Sequence, residues 1–135
     1  MRNQQIRVLI ADDETHIRQV ISQIVAALGG LVVAEVGDGE QAVRMFEVTR
    51  PDIVILDINM PSLTGDQALA RILALNPRVI GIMMTAQDTI EAVRGCLDLG
   101  ARDYILKSNP AAEIYRLMSA NWADYVNEIH AADAP

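Results

Sequence analysis

Five short apolar runs punctuate this chain, and between them the apolar residues recur at helical spacing. The runs are "IRVLIA" (6–11), "LVVAEV" (31–36), "DIVILD" (52–57), "VIGIMMT" (79–85) and "RDYILK" (102–107), dominated by the residues that suit strands buried on both faces of a sheet. Their alternation with helical patterns, through short connections, is the signature of repeated βα units feeding a parallel sheet. The first helix is the plainest: Ile17, Val20, Ile21, Ile24, Val25 and Leu28 form one stripe, which Gly29-Gly30 stops. Ala42, Met45 and Phe46 mark the second helix, Ala68, Leu69, Ile72 and Leu73 the third, and Ile90, Val93 and Leu97 the fourth, which Gly100 ends. A fifth begins after Pro110 and extends from about Ala111 to Ala131, close to ~30 Å at ~1.5 Å per residue. The expected fold class is α/β, a single (βα)5 unit.

A chain of 135 residues is one domain by length. The expected organisation is a domain over residues 1–120, with 121–135 extending helix five into a tail. Although 51% of the residues are hydrophobic, no run approaches the ~20 that a membrane span needs. The N-terminal run is too short for a signal peptide and acids follow it, so the cytoplasm is expected. The net charge of -7, with 11 dispersed basic residues, argues against a nucleic-acid surface. The single cysteine, Cys96, falls within the fourth helical pattern and reads as a buried thiol without chemistry.

In an open parallel sheet the strand C-termini share one edge, so residues just beyond them become neighbours in space. Here strand one ends in Asp12-Asp13, strand three in Asp57, strand four in Thr85 and strand five in Lys107. Strand two ends in Gly37-Asp38-Gly39, a turn and helix cap. Taken singly, Asp12 or Asp13 would cap helix one and Lys107 would be a solvated cation. Taken together, three carboxylates, a hydroxyl and an ammonium on one edge point to chemistry. Like charges about 4 Å apart repel by about 4 kcal/mol at an effective dielectric near ~20, so a cation has to help. Lys107 is one. An all-oxygen pocket also suits Mg²⁺, or Mn²⁺ in its place, which takes one or two carboxylates together with phosphate oxygens. Asp57 then reads as a nucleophile that accepts a phosphoryl group. Asp12 and Asp13 are the candidate metal ligands, with Asp57 itself and the backbone carbonyl of Asn59. Thr85 and Lys107 are candidates to bind phosphoryl oxygens, small Ala86 leaves the approach open, and Pro61 and Gly65 shape the loop behind Asp57.

The segments "LIADDE", "DIVILDINMPSLTG", "GIMMTAQ" and "GARDYILK", in this order and spacing, resemble the receiver domain of two-component response regulators over nearly all of residues 5–120. The resemblance implies a doubly wound, flavodoxin-like sheet of strand order 2-1-3-4-5. It also implies phosphorylation of Asp57 by a histidine kinase or phosphotransfer protein, Mg²⁺ on Asp12 and Asp13, and a switch pair formed by Thr85 and Tyr104. In such a switch the phosphoryl group draws Thr85 toward it and the ring of Tyr104 turns inward, reshaping the surface of helix four, strand five and helix five for a downstream protein. One departure stands out: where receivers usually have proline after the strand-five lysine, this chain reads Lys107-Ser108-Asn109-Pro110, which leaves a strained cis or a rearranged trans peptide open. Asn59 and Gln87 flank the expected phosphate and either orient or obstruct an attacking water.

Beyond Ile114, Leu117 and Met118, helix five carries a second stripe of Trp122, Tyr125 and Ile129. It either folds back on the core or, like the surface of helix four, strand five and helix five, offers a homodimer or partner face. The runner-up function is a pseudo-receiver, the same fold used as a constitutive interaction module. A third is an aspartyl phosphatase, disfavoured because such enzymes place a second Asp two residues past the nucleophile, where this chain has Asn59.

Overall fold

The computed structural model describes residues 5–132. The strands are β1 (Arg7–Ala11), β2 (Leu31–Val36), β3 (Ile53–Leu56), β4 (Ile80–Thr85) and β5 (Asp103–Leu106). They alternate with helices α1 (Thr15–Ala27), α2 (Gly39–Thr49), α3 (Gly65–Leu75), α4 (Ile90–Leu99) and α5 (Ala111–Ala132). All pairings are parallel and the order is β2-β1-β3-β4-β5. This is the doubly wound α/β fold expected.

Period-two alternation divides the strand side chains between two cores. Val8, Ile10, Ile53, Ile55, Ile80 and Ile82 face α1 and α5, whereas Leu9, Ala11, Val54, Leu56 and Met83 face α2, α3 and Cys96 of α4. Burial follows position in the sheet: β3 and β4 are buried along their whole length, while the edge strand β2 is not buried anywhere. Among the connections, Asp38 caps α2 by accepting from the Gln41 amide at 2.8 Å, and Thr89 caps α4 by accepting from the Ala92 amide at 3.1 Å.

Two helices carry apolar stripes whose burial the sequence does not fix. The Ile90/Val93/Leu97 stripe of α4 does not pack inward: Ile90 is 70% and Leu97 45% exposed, and Cys96 is the residue that α4 buries. Burial pushes the Cys96 thiol up, and the thiol is buried as the sequence led one to expect.

In α5 the outcome is the opposite. Of the two alternatives for the Trp122/Tyr125/Ile129 stripe, folding back is the one observed and the homodimer face is not: the stripe is buried in the protein's own core with Ile114 and Met118. Trp122 lies over Gly30, where a Cβ would come within 3.1 Å of its ring. Tyr125 donates from its hydroxyl to Asp103 Oδ2 at 3.3 Å, Asn121 donates to the same oxygen at 3.1 Å, and Arg102 lies 5.7 Å from the Tyr125 ring centroid. A stripe with this many internal partners has no face left for a second copy. The helix passes residue 120 without a break, so the extension assigned to 121–135 is, through Ala132, the second half of one helix.

Candidate functional site

The backbone ladder runs one step past the strands and fixes the residues that follow them. The Asp12 amide donates to Val36 O at 3.0 Å, the Asp57 amide to Ala11 O at 3.0 Å, and the Lys107 amide to Thr85 O at 2.9 Å. Side chains at 12, 57, 85 and 107 thereby converge at the C-terminal edge. Asp12, Asp57 and Thr85 are buried, at 1%, 4% and 0% exposure, while Asp13 is open to solvent.

Lys107 is the centre of charge. Its Nζ lies 2.8 Å from Asp12 Oδ2, 2.9 Å from Asp57 Oδ2 and 2.8 Å from Glu14 Oε1. Burial alone would lower its pKa; the three carboxylates outweigh burial and hold the ammonium above its ordinary value. Burial raises the pKa of Asp12, against the pull of Lys107 and the Glu14 amide, which donates to Asp12 Oδ1 at 2.9 Å. Asp12 therefore does engage the start of α1, yet Glu14 holds the N-cap position. The Lys107 hydrogen bond holds the Glu14 carboxyl below its usual range.

The donor set fits a divalent cation. Carboxylate oxygens of Asp12, Asp13, Glu14 and Asp57 lie within 4.8 Å of one another. Asp12 Oδ2 faces the Lys107 charge at 2.8 Å but receives no properly angled hydrogen bond, so a buried anionic oxygen is left short of a donor. Oxygen ligands with an open, partly solvated side suit Mg²⁺, which keeps several of its waters. Glu14 was missed as part of this group in the sequence, where "DDE" presents it only as the third acid in a row.

Asn59 and Gln87 close the rim. The Asn59 amide lies 3.4 Å from Asp57 Oδ1, a long contact, and its side-chain oxygen accepts from Gln87 Nε2 at 2.9 Å. Gln87 also reaches the two residues expected to form a switch: its amide lies 3.4 Å from Thr85 Oγ1, and its carbonyl accepts from the Tyr104 hydroxyl at 2.7 Å. The Tyr104 ring is half-buried and packs against the core cluster that contains Leu56, Met83 and Cys96. Ala86 is exposed at the mouth.

The loops around Asp57 and Lys107 are tightly specified. A Cβ on Gly65 would fall 1.9 Å from the Asp57 carbonyl oxygen, so α3 can start this close only with glycine there. The Lys107-Ser108 peptide is trans, since no cis peptide occurs among the described residues. A turn closed by the Asn109 amide on Leu106 O, at 3.1 Å, takes the place of the family's usual proline. Pro110 then opens α5, its carbonyl accepting from the Glu113 and Ile114 amides. Lys107 reaches the pocket without the missing proline.

A sequence profile for the response regulator receiver domain matches residues 8–119. The chain belongs to this family. Its relatives include CcdB of Bacillus subtilis, 35% identical over 113 residues that cover 84% of this chain and 94% of that protein. Chemotaxis protein CheY of Listeria monocytogenes is 39% identical over 102 residues, 76% of this chain and 86% of the relative. Against a protein-glutamate methylesterase of Anaeromyxobacter dehalogenans it is 40% identical, but spans only 32% of that protein. Among solved structures, CheY in a CheX-CheY-BeF3-Mg complex from Borrelia burgdorferi superposes with a TM-score of 0.78 at 32% identity, covering 85% of this chain and 88% of the other. Receiver domains bind Mg²⁺, and the acidic cluster here is compatible with it. No described helix is long and apolar enough to cross a membrane.

Proposed function

We propose that this receiver accepts a phosphoryl group on Asp57 from a histidine kinase or histidine phosphotransfer protein, in a Mg²⁺-dependent reaction. The carrying observation is the position of Asp57: a buried carboxylate, ion-paired to Lys107 at 2.9 Å through Oδ2, with Oδ1 held only by the long Asn59 contact. The looser oxygen is the one free to attack. In the transfer, Asp57 Oδ1 forms a bond to phosphorus as the phosphorus–nitrogen bond of a phosphohistidine breaks, and the electron pair stays on the imidazole nitrogen, which takes up a proton. Asp12, Asp13, Asp57 and the Asn59 carbonyl are the residues to hold Mg²⁺, which when bound neutralises phosphoryl oxygens. Lys107 serves a second phosphoryl oxygen, and the Thr85 hydroxyl a third. The chain catalyses its own modification and turns over no external metabolite.

The output runs through Gln87. Movement of Thr85 toward a phosphoryl group pulls on the segment whose carbonyl anchors Tyr104, and so changes the face made by α4, β5 and α5 for a downstream protein, or for a second copy meeting that face. The Asn59–Gln87 amide pair spans the rim that an attacking water must cross, which places phosphoryl lifetime under its control. The pseudo-receiver reading rested on the altered loop after Lys107, and the reach of Lys107 to Asp57 removes that support.

The test is incubation with Mg²⁺ and acetyl phosphate, followed by intact mass. A gain of one phosphoryl group in the wild type, absent in Asp57→Asn and after chelation, is the expected result. No gain under any donor, kinase included, would leave the pseudo-receiver in its place.

A further inference from the structure

Lys107 has a third partner that the proposed reaction does not use. An ammonium carries three hydrogens, and here three carboxylates stand at 2.8, 2.8 and 2.9 Å from Nζ. Lys107 donates aligned hydrogen bonds to Glu14 and Asp57 while Asp12 crowds it without one, and a phosphoryl oxygen arriving at Asp57 must compete with these carboxylates for the ammonium. The three are not equally free to leave. Asp12 and Asp57 are almost wholly buried, so either would be stripped of its charge partner where water cannot replace it. The Glu14 side chain is 48% exposed and can exchange Lys107 for water at little cost.

Its position gives it leverage. Glu14 holds the N-cap of α1 with an extended backbone, and its own amide is tied to Asp12 Oδ1, so the side chain swings from a fixed base. The contact joins residues 93 apart in sequence, bridging the start of α1 to the end of β5 across the mouth of the pocket.

We propose that Glu14 is a positioning residue that occupies a donor of Lys107 in the resting protein and yields it to a phosphoryl oxygen, so that it retards phosphorylation of Asp57. The inference rests on the phosphoacceptor reading given above. Chemically, Asp57 Oδ1 bonds to phosphorus, the acetyl phosphate P–O bond breaks with its electron pair left on acetate, Asp57 Oδ2 becomes a carbonyl oxygen, and Lys107 turns a hydrogen from Glu14 to the phosphoryl group.

Two variants separate contact from charge. Glu14→Gln removes the charge; Glu14→Asp keeps it but is one methylene too short to hold the contact. At saturating Mg²⁺, both are expected to take up a phosphoryl group from acetyl phosphate about two- to fivefold faster than wild type, the range of an exposed ion pair. The Mg²⁺ affinity of Glu14→Asp, measured by calorimetry, should stay within about twofold of wild type, because the local charge is preserved. A Glu14→Asp rate equal to wild type would show that only charge matters and overturn the proposal. Slower labelling in both variants, with weakened Mg²⁺ binding, would make Glu14 a metal ligand and overturn it as well. A wild type that takes up no phosphoryl group would instead defeat the phosphoacceptor reading and this inference together, so the two failures are told apart by the unmutated protein.

Discussion

Helices α5 and α4 carry apolar stripes of similar appearance in the sequence, yet they have opposite fates. In α5, Trp122, Tyr125 and Ile129 are buried and latched to β5 through Asp103 and Arg102. In α4, Ile90 and Leu97 lie in solvent and Cys96 alone is buried. A helix that spends its apolar face on the core is committed to one position. One that leaves that face exposed is held by little and can respond to a pull from Gln87, three residues ahead of its first residue. The contrast teaches which side of β5 is scaffold and which is free to signal.

The largest effect should come from the scaffold side. Trp122→Ala is expected to lower unfolding free energy by about 3–5 kcal/mol in denaturant titration, the usual cost of emptying a large aromatic site. A loss below about 1 kcal/mol would mean that the second half of α5 is not part of the core, and the contrast would fail.

The next effect lies at the end of the strand between the two helices. Lys107→Met leaves Asp12 and Asp57 buried without their cation, and should cost about 3 kcal/mol in the absence of metal. Millimolar Mg²⁺ should raise the melting temperature of the wild type, and should raise that of Lys107→Met by more, because the ion then takes over the charge that Lys107 supplied to Asp12 and Asp57. Equal shifts would detach the metal from these carboxylates.

A smaller effect of opposite sign belongs to Asp12. Because burial raises its pKa in the folded protein, its ionisation opposes folding. The penalty is absent below the unfolded value of 3.8 and grows as pH rises through the folded one. Asp12→Asn should therefore raise the melting temperature at pH 7 but not near pH 3, while weakening Mg²⁺ binding. Stabilisation of equal size at both pH values would point to packing instead of charge.

The smallest effect sharpens the comparison from the α4 side. Ile90→Ser and Leu97→Ser should change stability by no more than about 0.5 kcal/mol, as exposed substitutions do. Hydrogen exchange before and after phosphorylation should show protection changing in α4 and leaving α5 as it was. Changes concentrated in α5 would reverse the assignment of roles.

The sheet was legible because short continuous apolar runs and glycine stops act locally. The run Ile53–Leu56 is β3, and Ile21, Ile24 and Val25 of the first stripe are buried as read. The convergence of Asp12, Asp57, Thr85 and Lys107 followed from topology alone, since strand ends on one edge must meet. The orientation of α4 and α5 did not follow, because periodicity says which residues share a face and not what covers it. Gly30, which admits Trp122, is 92 positions away from it, and no pattern in α5 points to it. Glu14 was hidden for the same reason: its partner lies on β5's far side of the sequence, and three consecutive acids look alike until Lys107 selects among them.

The most direct measurement is tandem mass spectrometry of the protein after exposure to Mg²⁺ and acetyl phosphate, with the acyl phosphate trapped by borohydride reduction. The account predicts a single reduced site, at Asp57, that disappears in Asp57→Asn without transferring to Asp12 or Asp13. Modification at either of those two, or undiminished labelling of Asp57→Asn, would contradict it.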